Sequence, residues 1–167
     1  MVAIRSLLAA LTILALPGVL SAQQRTTRVT DETVLFVCEH GTVKSLLAKL
    51  LFDEYAAQVG LPMRAESRGT AIDSVVPPWM RAHLDASRLT YSGFTPRTVA
   101  ARDLAGASVV VTFDLPATVS VGARGARTQW DSLPPASQQF EASREAIKAR
   151  VHALVDSLNH ARLARRP

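Results

Sequence analysis

Residues 34–45 read VLFVCEHGTVKS, and this stretch decides the fold. An apolar run leads into Cys38, the only cysteine of the 167-residue chain, and Lys44 and Ser45 follow after five intervening residues. When a strand ends in a short loop before a helix, loop amides and the helix N-terminus surround one point, and both favour negative charge. The same surroundings stabilise a thiolate and make it reactive. The stretch therefore predicts an anion-binding loop with Cys38 as the nucleophile at its base.

Apolar runs and helical patterns alternate along the rest of the chain. Short apolar or β-branched runs predict strands at 33–37, 63–67, 109–113 and 126–130, and three- and four-residue spacing predicts helices within 43–60, 79–85 and 97–104. A last amphipathic helix is expected after Ser137, its proposed N-cap. This order indicates an α/β protein with a parallel sheet between helices, in which ligands bind beyond the carboxyl ends of the strands.

The N-terminal segment has the pattern of a secretory signal peptide. Arg5 precedes a charge-free run rich in leucine and alanine that closes on Leu20-Ser21-Ala22. We expect cleavage after Ala22, a flexible leader over 23–32, one folded domain over 33–163, and an exported protein that is periplasmic or secreted. An uncleaved membrane anchor is the alternative, although the run is short for a membrane span.

Composition limits the classes of partner. The chain is 48% hydrophobic and 20% charged with a net charge of +5, which becomes +4 without Arg5 and suits an anionic substrate. Aromatic residues make up only 5% and no nucleic-acid-binding motif occurs, so a nucleic-acid partner is not expected. The histidines lack metal-ligand spacing, and we predict neither a metal nor a cofactor.

The loop resembles that of the low-molecular-weight protein tyrosine phosphatases and their arsenate reductase relatives. The likeness rests on a cysteine, five residues, a basic residue and a serine that follow a strand. Further matches are Glu66–Thr70, residues 109–114, Trp130 with the proline pair, and the helix around Phe140. The likeness covers about residues 33–160 and implies a three-layer fold like that of phosphotyrosine phosphatase I, with a four-stranded parallel sheet flanked by helices.

The resemblance implies a role for each residue of the loop. Cys38 would attack phosphorus, Lys44 would bind the phosphoryl group and the Ser45 hydroxyl would support the thiolate. The remaining loop residues would form the phosphate-binding site: Glu39, His40, Gly41, Thr42 and Val43. The implied ligand is a phosphorylated small molecule, a phosphoprotein or an inorganic oxyanion.

Three departures from the family pattern bear on activity. Lys44 stands in place of the family's arginine, and losing one charge-assisted hydrogen bond costs about 1.5–3 kcal/mol, or about 10- to 150-fold in rate. Gly41 replaces an asparagine, and Pro134 stands where the family has the aspartate of an Asp-Pro pair. Asp131 is the candidate general acid, with a turn or cap residue as its alternative role. Asp114 is the weaker candidate for the acid, and a structural role is expected for it instead.

Three functions remain open on the sequence. The first is hydrolysis of a phosphomonoester, with phosphotyrosine as one candidate, through a cysteinyl-phosphate. The second is an inactive or weakly active module that binds oxyanions or phosphopeptides. The third is a carrier-thiol-dependent arsenate reductase, because a single cysteine cannot form an internal disulfide. Outside the loop, Trp79 is expected in the core, with the mouth of the pocket as its alternative place. Arg68 is expected in solvent, with a contribution to the positive potential of the site as its alternative role.

Overall fold

Four strands and four helices make up the part of the chain that the structure describes. The computed structural model describes residues 32–165. The strands are β1 Thr33–Cys38, β2 Arg64–Gly69, β3 Val109–Thr112 and β4 Ala126–Gln129, and the helices are α1 Lys44–Gln58, α2 Pro78–Ala86, α3 Ala101–Gly106 and α4 Phe140–Ala164, with a 3-10 turn at Ala117–Ser120. The predicted signal peptide and nearly all of the leader lie outside the described residues.

All strand pairs in the sheet are parallel, and the strand order is β2-β1-β3-β4. The predicted parallel four-stranded sheet with flanking helices is confirmed. β1 is central, since Phe36 pairs with Ser67 on one side and with Val111 on the other. The carboxyl ends of β1 and β3 are therefore neighbours, and the loops that follow Cys38 and Thr112 meet at one edge.

Side chains of β1 alternate between two separate parts of the core. Val34 and Phe36 face the larger cluster with α1, α2 and α4, whereas Leu35 and Val37 face a smaller cluster with Leu104 of α3. Successive side chains of a strand point to opposite faces, so the uninterrupted apolar run is buried on both. This packing fixes the end of β1, and with it the position of Cys38.

Two predicted helix starts are wrong. α3 begins at Ala101 instead of residue 97, because the preceding residues are extended: the Gly69 N–H donates to the Arg97 carbonyl, and the Val99 N–H donates to the Gly69 carbonyl. α4 begins at Phe140, and no side-chain cap bond precedes it, so Ser137 is not its N-cap. Within residues 32–165, no helix is long and apolar enough to cross a membrane.

Candidate active site

The Cys38 sulfur lies at the carboxyl end of β1 and receives polar contacts from its own loop. The side chain is 6% exposed. The Gly41 N–H donates to Sγ over 3.2 Å, and the Ser45 hydroxyl lies 3.0 Å from Sγ. Both groups can donate to a negatively charged sulfur, which has no proton of its own to offer. The loop thus has the arrangement that a thiolate requires.

A second serine extends this contact into the interior. The hydroxyl of Ser67, on β2, lies 2.8 Å from the Ser45 oxygen and 3.0 Å from the Gly41 carbonyl. When the sulfur is ionised, Ser45 must donate to it, and the Ser45 oxygen is then free to accept. Ser67 has a single proton, which it gives either to this oxygen or to the Gly41 carbonyl. Both serines are buried. Ser67 is a site residue that the loop motif alone did not identify, although its strand is part of the family resemblance.

Two glycines let the loop lie directly against β2. Gly41 has a φ of +71°, which L residues with a side chain rarely adopt. A Cβ built on Gly69 would lie 2.8 Å from the Glu39 carbonyl oxygen, the His40 carbonyl carbon and the Gly41 nitrogen. The Thr70 and Ala71 N–H groups donate to the same Glu39 carbonyl. The position of the loop therefore depends on close backbone contact at Gly69.

The predicted phosphate cation is paired with a carboxylate. Lys44 Nζ donates to Asp114 Oδ2, and both residues line the cleft. Asp114 has a φ of +48°, and its other carboxylate oxygen accepts the Ser132 N–H over 3.1 Å. An anion that binds Lys44 must share this cation with Asp114 or displace it.

Asp131 contacts the backbone of Asp114. Its Oδ1 accepts the Asp114 N–H over 3.1 Å, and its backbone carbonyl accepts a hydrogen bond from Arg150. The cleft is lined by Asp114 and by Pro135 and Ser137, and Asp131 does not contribute to that lining. The role of Asp131 as general acid stays a prediction, and its observed contact holds the backbone of Asp114.

The cleft above the sulfur measures about 410 Å³. Among the predicted loop residues, those that line it besides Cys38 and Lys44 are Glu39, His40 and Val43. Gly41 and Thr42 are buried and do not line the cleft. Trp79 and Phe113 add aromatic walls. Trp79 is half-buried, packs against the core and also lines the cleft, so it occupies both of the places considered for it.

Arg68 was expected in solvent and is buried instead. Its guanidinium pairs with Glu66 at 2.9 Å and with Asp103 at 3.4 Å, and it donates to the Ser67 carbonyl over 2.8 Å. Burial raises the pKa of Asp103, but the N–H of Ala100 and the positive charge of Arg68 outweigh it, so the pKa lies below its usual value. Arg68 thus ties β2 to α3 and does not reach the cleft.

No group of three or more histidine, cysteine, aspartate or glutamate side chains suited to a metal ion occurs within residues 32–165. The polar groups that line the described cleft include the Cys38 sulfur, the Lys44 ammonium, the His40 imidazole and the carboxylates of Glu39, Asp73 and Asp114. The sulfur is suited to nucleophilic attack and Lys44 to binding an oxyanion, whereas the carboxylates oppose an anion unless they are paired or protonated.

Comparison with known proteins agrees with this arrangement. The family model for low molecular weight phosphotyrosine protein phosphatase matches residues 33–164, and the chain belongs to that family. A search of curated proteins found no match.

Several solved structures share the fold. YfkJ from Bacillus subtilis has a TM-score of 0.68 at 21% identity, and the match covers 78% of this chain and 96% of that one. The YwlE arginine phosphatase from Geobacillus stearothermophilus has a TM-score of 0.68 at 15% identity, covering 81% and 98%. An arsenate reductase from Archaeoglobus fulgidus has a TM-score of 0.56 at 27% identity, covering 74% and 98%.

Proposed function

We propose that this protein hydrolyses phosphomonoesters through a phosphorylated cysteine. The observation that carries the proposal is the Cys38 sulfur, which lies at the floor of the cleft with the Gly41 N–H and the Ser45 hydroxyl directed at it. A family match over residues 33–164 supports the same chemistry. Trp79 and Phe113 in the walls of the cleft favour an aryl phosphate, including phosphotyrosine, over a small alkyl ester.

In the first step the Cys38 thiolate attacks phosphorus, and an S–P bond forms as the P–O bond to the leaving group breaks. The electron pair of that bond stays on the leaving oxygen, which takes a proton from a general acid. In the second step water attacks the phosphorus and loses a proton to the same group in its basic form. The S–P bond breaks, its electron pair returns to sulfur, and inorganic phosphate leaves.

Lys44 and Ser45 support these steps. Lys44 binds the phosphoryl oxygens once it exchanges the Asp114 carboxylate for the substrate. Ser45 donates to the sulfur while it is a thiolate and again when it leaves phosphorus, which makes the thiolate a better leaving group.

Turnover of p-nitrophenyl phosphate by the wild-type protein, by Cys38→Ser and by Ser157→Ala tests the proposal. Ser157 is exposed on α4 and serves as the matched control for a conservative change. We expect hydrolysis by the wild type and the control, none above background by Cys38→Ser, and a trapped phosphocysteine at low pH. Equal rates for wild type and Cys38→Ser would refute hydrolysis at Cys38.

The Lys44–Asp114 pair favours a second candidate, a module that binds oxyanions or phosphopeptides without turnover. A lysine that is paired with a carboxylate binds a transferring phosphoryl group less strongly than an unpaired arginine does. Titration calorimetry with inorganic phosphate and a phosphotyrosine peptide separates the two functions. Saturable binding without hydrolysis of any ester would support the module.

Carrier-dependent arsenate reduction is a third candidate, since an arsenate reductase is among the structures that share the fold. Two electrons are needed to reduce arsenate to arsenite, and Cys38 is the only cysteine, so a second thiol must come from a small carrier. Arsenate-dependent oxidation of added glutathione would support this activity. We further propose export, for which residues 1–22 are the support; cell fractionation tests it.

A further inference from the structure

The proposed reaction needs a proton donor for the leaving group, and the family's Asp-Pro pair is missing from this chain. Among the residues that line the cleft, Asp114 is paired with Lys44, and it becomes a competing candidate once the substrate replaces it there. His40 lines the same cleft, two residues after the nucleophile, and its side chain is 52% exposed. An imidazole is the side chain best suited to give and take a proton near neutral pH.

His40 is held in place by Asp73, from the loop that follows β2. Its Nδ1 lies 3.3 Å from Asp73 Oδ1. The Asp73 N–H also donates to the His40 carbonyl over 3.2 Å. A carboxylate next to Nδ1 favours the tautomer that carries its proton there, and Nε2 is then the nitrogen that exchanges a proton in the cleft.

Asp73 is in turn held in place by Thr42, a residue of the anion-binding loop after β1. Its second oxygen, Oδ2, accepts a hydrogen bond of 2.6 Å from the hydroxyl of Thr42, which is completely buried. Each carboxylate oxygen thus faces a different loop residue. Thr42 does not line the cleft, and this bond gives it a role that the loop motif does not suggest.

We propose that His40 is the general acid and base of the reaction, with Asp73 and Thr42 as positioning residues; this inference rests on the proposed function. Protonated His40 gives the Nε2 proton to the leaving oxygen as the P–O bond breaks. The neutral imidazole then takes a proton from the water that attacks the cysteinyl-phosphate. Atoms and charge balance over the two steps, and the group ends in its starting form.

The charged groups around His40 are consistent with this role. Glu39 Oε2 lies 3.8 Å from Nε2, and Asp73 faces Nδ1, so two carboxylates can partner the imidazolium. Lys44 and Asp114, across the same cleft, are paired with each other. A neutral imidazole, formed after the first step, retains the contact between Nδ1–H and Asp73.

Leaving-group dependence tests the proposal, because an acid matters most when the leaving oxygen is strongly basic. We would measure kcat/KM for p-nitrophenyl phosphate and for phenyl phosphate in the wild type, His40→Gln, Asp131→Asn and Asp114→Asn. His160→Gln, at an exposed position on α4, is the matched control. We expect His40→Gln to lose about 100-fold or more on phenyl phosphate and much less on the nitrophenyl ester.

Two further readouts separate chemistry from structure. The basic limb of the pH profile of kcat/KM should disappear in His40→Gln, and Asp73→Asn should show a smaller loss with the same dependence on leaving group. An unchanged ratio between the two substrates in His40→Gln would overturn the inference while leaving hydrolysis at Cys38 intact. A selective loss in Asp131→Asn alone would assign the acid to Asp131, and the same result in Asp114→Asn alone would assign it to Asp114. An inactive wild type would overturn both proposals.

Discussion

Replacement of Gly69 by alanine is expected to displace the anion-binding loop. The new Cβ would lie 2.8 Å from backbone atoms of Glu39, His40 and Gly41, and backbone cannot move aside as the end of a flexible side chain can. The loop has to shift by roughly half an ångström to restore ordinary contact. Overpacking of this kind costs about 1–3 kcal/mol of stability. The shift also lengthens the 3.2 Å contact from the Gly41 N–H to the Cys38 sulfur.

Urea denaturation and thiol alkylation measure the two effects. With a urea dependence of about 1–3 kcal/mol per molar, the unfolding midpoint of Gly69→Ala should fall by roughly 1 M. Alkylation of Cys38 by iodoacetamide at neutral pH should slow, because a displaced amide stabilises the thiolate less. Phosphate should protect the thiol less well than in the wild type.

Gly106→Ala is the matched control. Apart from its chain neighbours and its own helix backbone, no heavy atom of residues 32–165 lies within 4 Å of a Cβ built on Gly106, in the last turn of α3. Alanine suits a helix better than glycine, so this variant should be unchanged or more stable by about 0.5–1 kcal/mol. If the two variants have the same midpoint and the same alkylation rate, the close contact at Gly69 does not position the loop, and the reasoning fails.

Three other predictions concern the groups around the loop. Ser67→Ala removes a buried hydroxyl that contacts both Ser45 and the Gly41 carbonyl, and should slow alkylation of Cys38 and cost about 1–3 kcal/mol. Lys44→Arg should raise turnover of p-nitrophenyl phosphate by about 10- to 150-fold, since arginine binds two phosphoryl oxygens at once. Asp103→Asn should destabilise the protein at pH 7, with a difference from the wild type that shrinks below about pH 4. The pKa of Asp103 is lower in the folded state, so its contribution is lost as pH falls through that value.

Each of these three predictions can be contradicted by a specific result. Ser143→Ala removes a buried hydroxyl that has no hydrogen-bond partner among residues 32–165, and it controls for Ser67→Ala. Equal alkylation rates in the two variants would contradict support of the Cys38 thiolate through Ser45 and Ser67. Unchanged kinetics in Lys44→Arg would show that the phosphoryl group does not contact this position. A stability difference for Asp103→Asn that is constant from pH 7 to pH 3 would contradict the ion pair with Arg68.

The sequence predicted the strands of the sheet more completely than it predicted the contacts within the candidate site. The apolar run before Cys38 predicted a strand that is buried on both faces, because burial on both faces leaves no polar positions in such a strand. The loop motif placed Gly41 and Ser45, which contact the sulfur, in the same loop as Cys38, but it did not indicate Ser67. The apolar run and the loop motif both consist of residues that are adjacent in the sequence, so each could be recognised without knowledge of the fold.

Contacts between distant segments could not be predicted in this way. The pairing of Arg68 with Glu66 and Asp103 joins β2 to α3, and no pattern around Arg68 indicates a buried guanidinium. The extended backbone at 97–100 results from its bonds to Gly69 and overrides a helix-like sequence. The contact between His40 and Asp73 joins two loops that meet only because β1 and β2 are adjacent.

The central position of β1 has a consequence for experiments on the thiol. Strand amides that are paired on both sides exchange with solvent only in rare, nearly global openings, whereas loops open at much lower cost. Hydrogen exchange should therefore be slowest around Phe36 and Val37 and faster from Glu39 onward. Modification of Cys38 under native conditions should report movement of the loop alone, since the strand that carries the sulfur opens far less often than the loop that covers it.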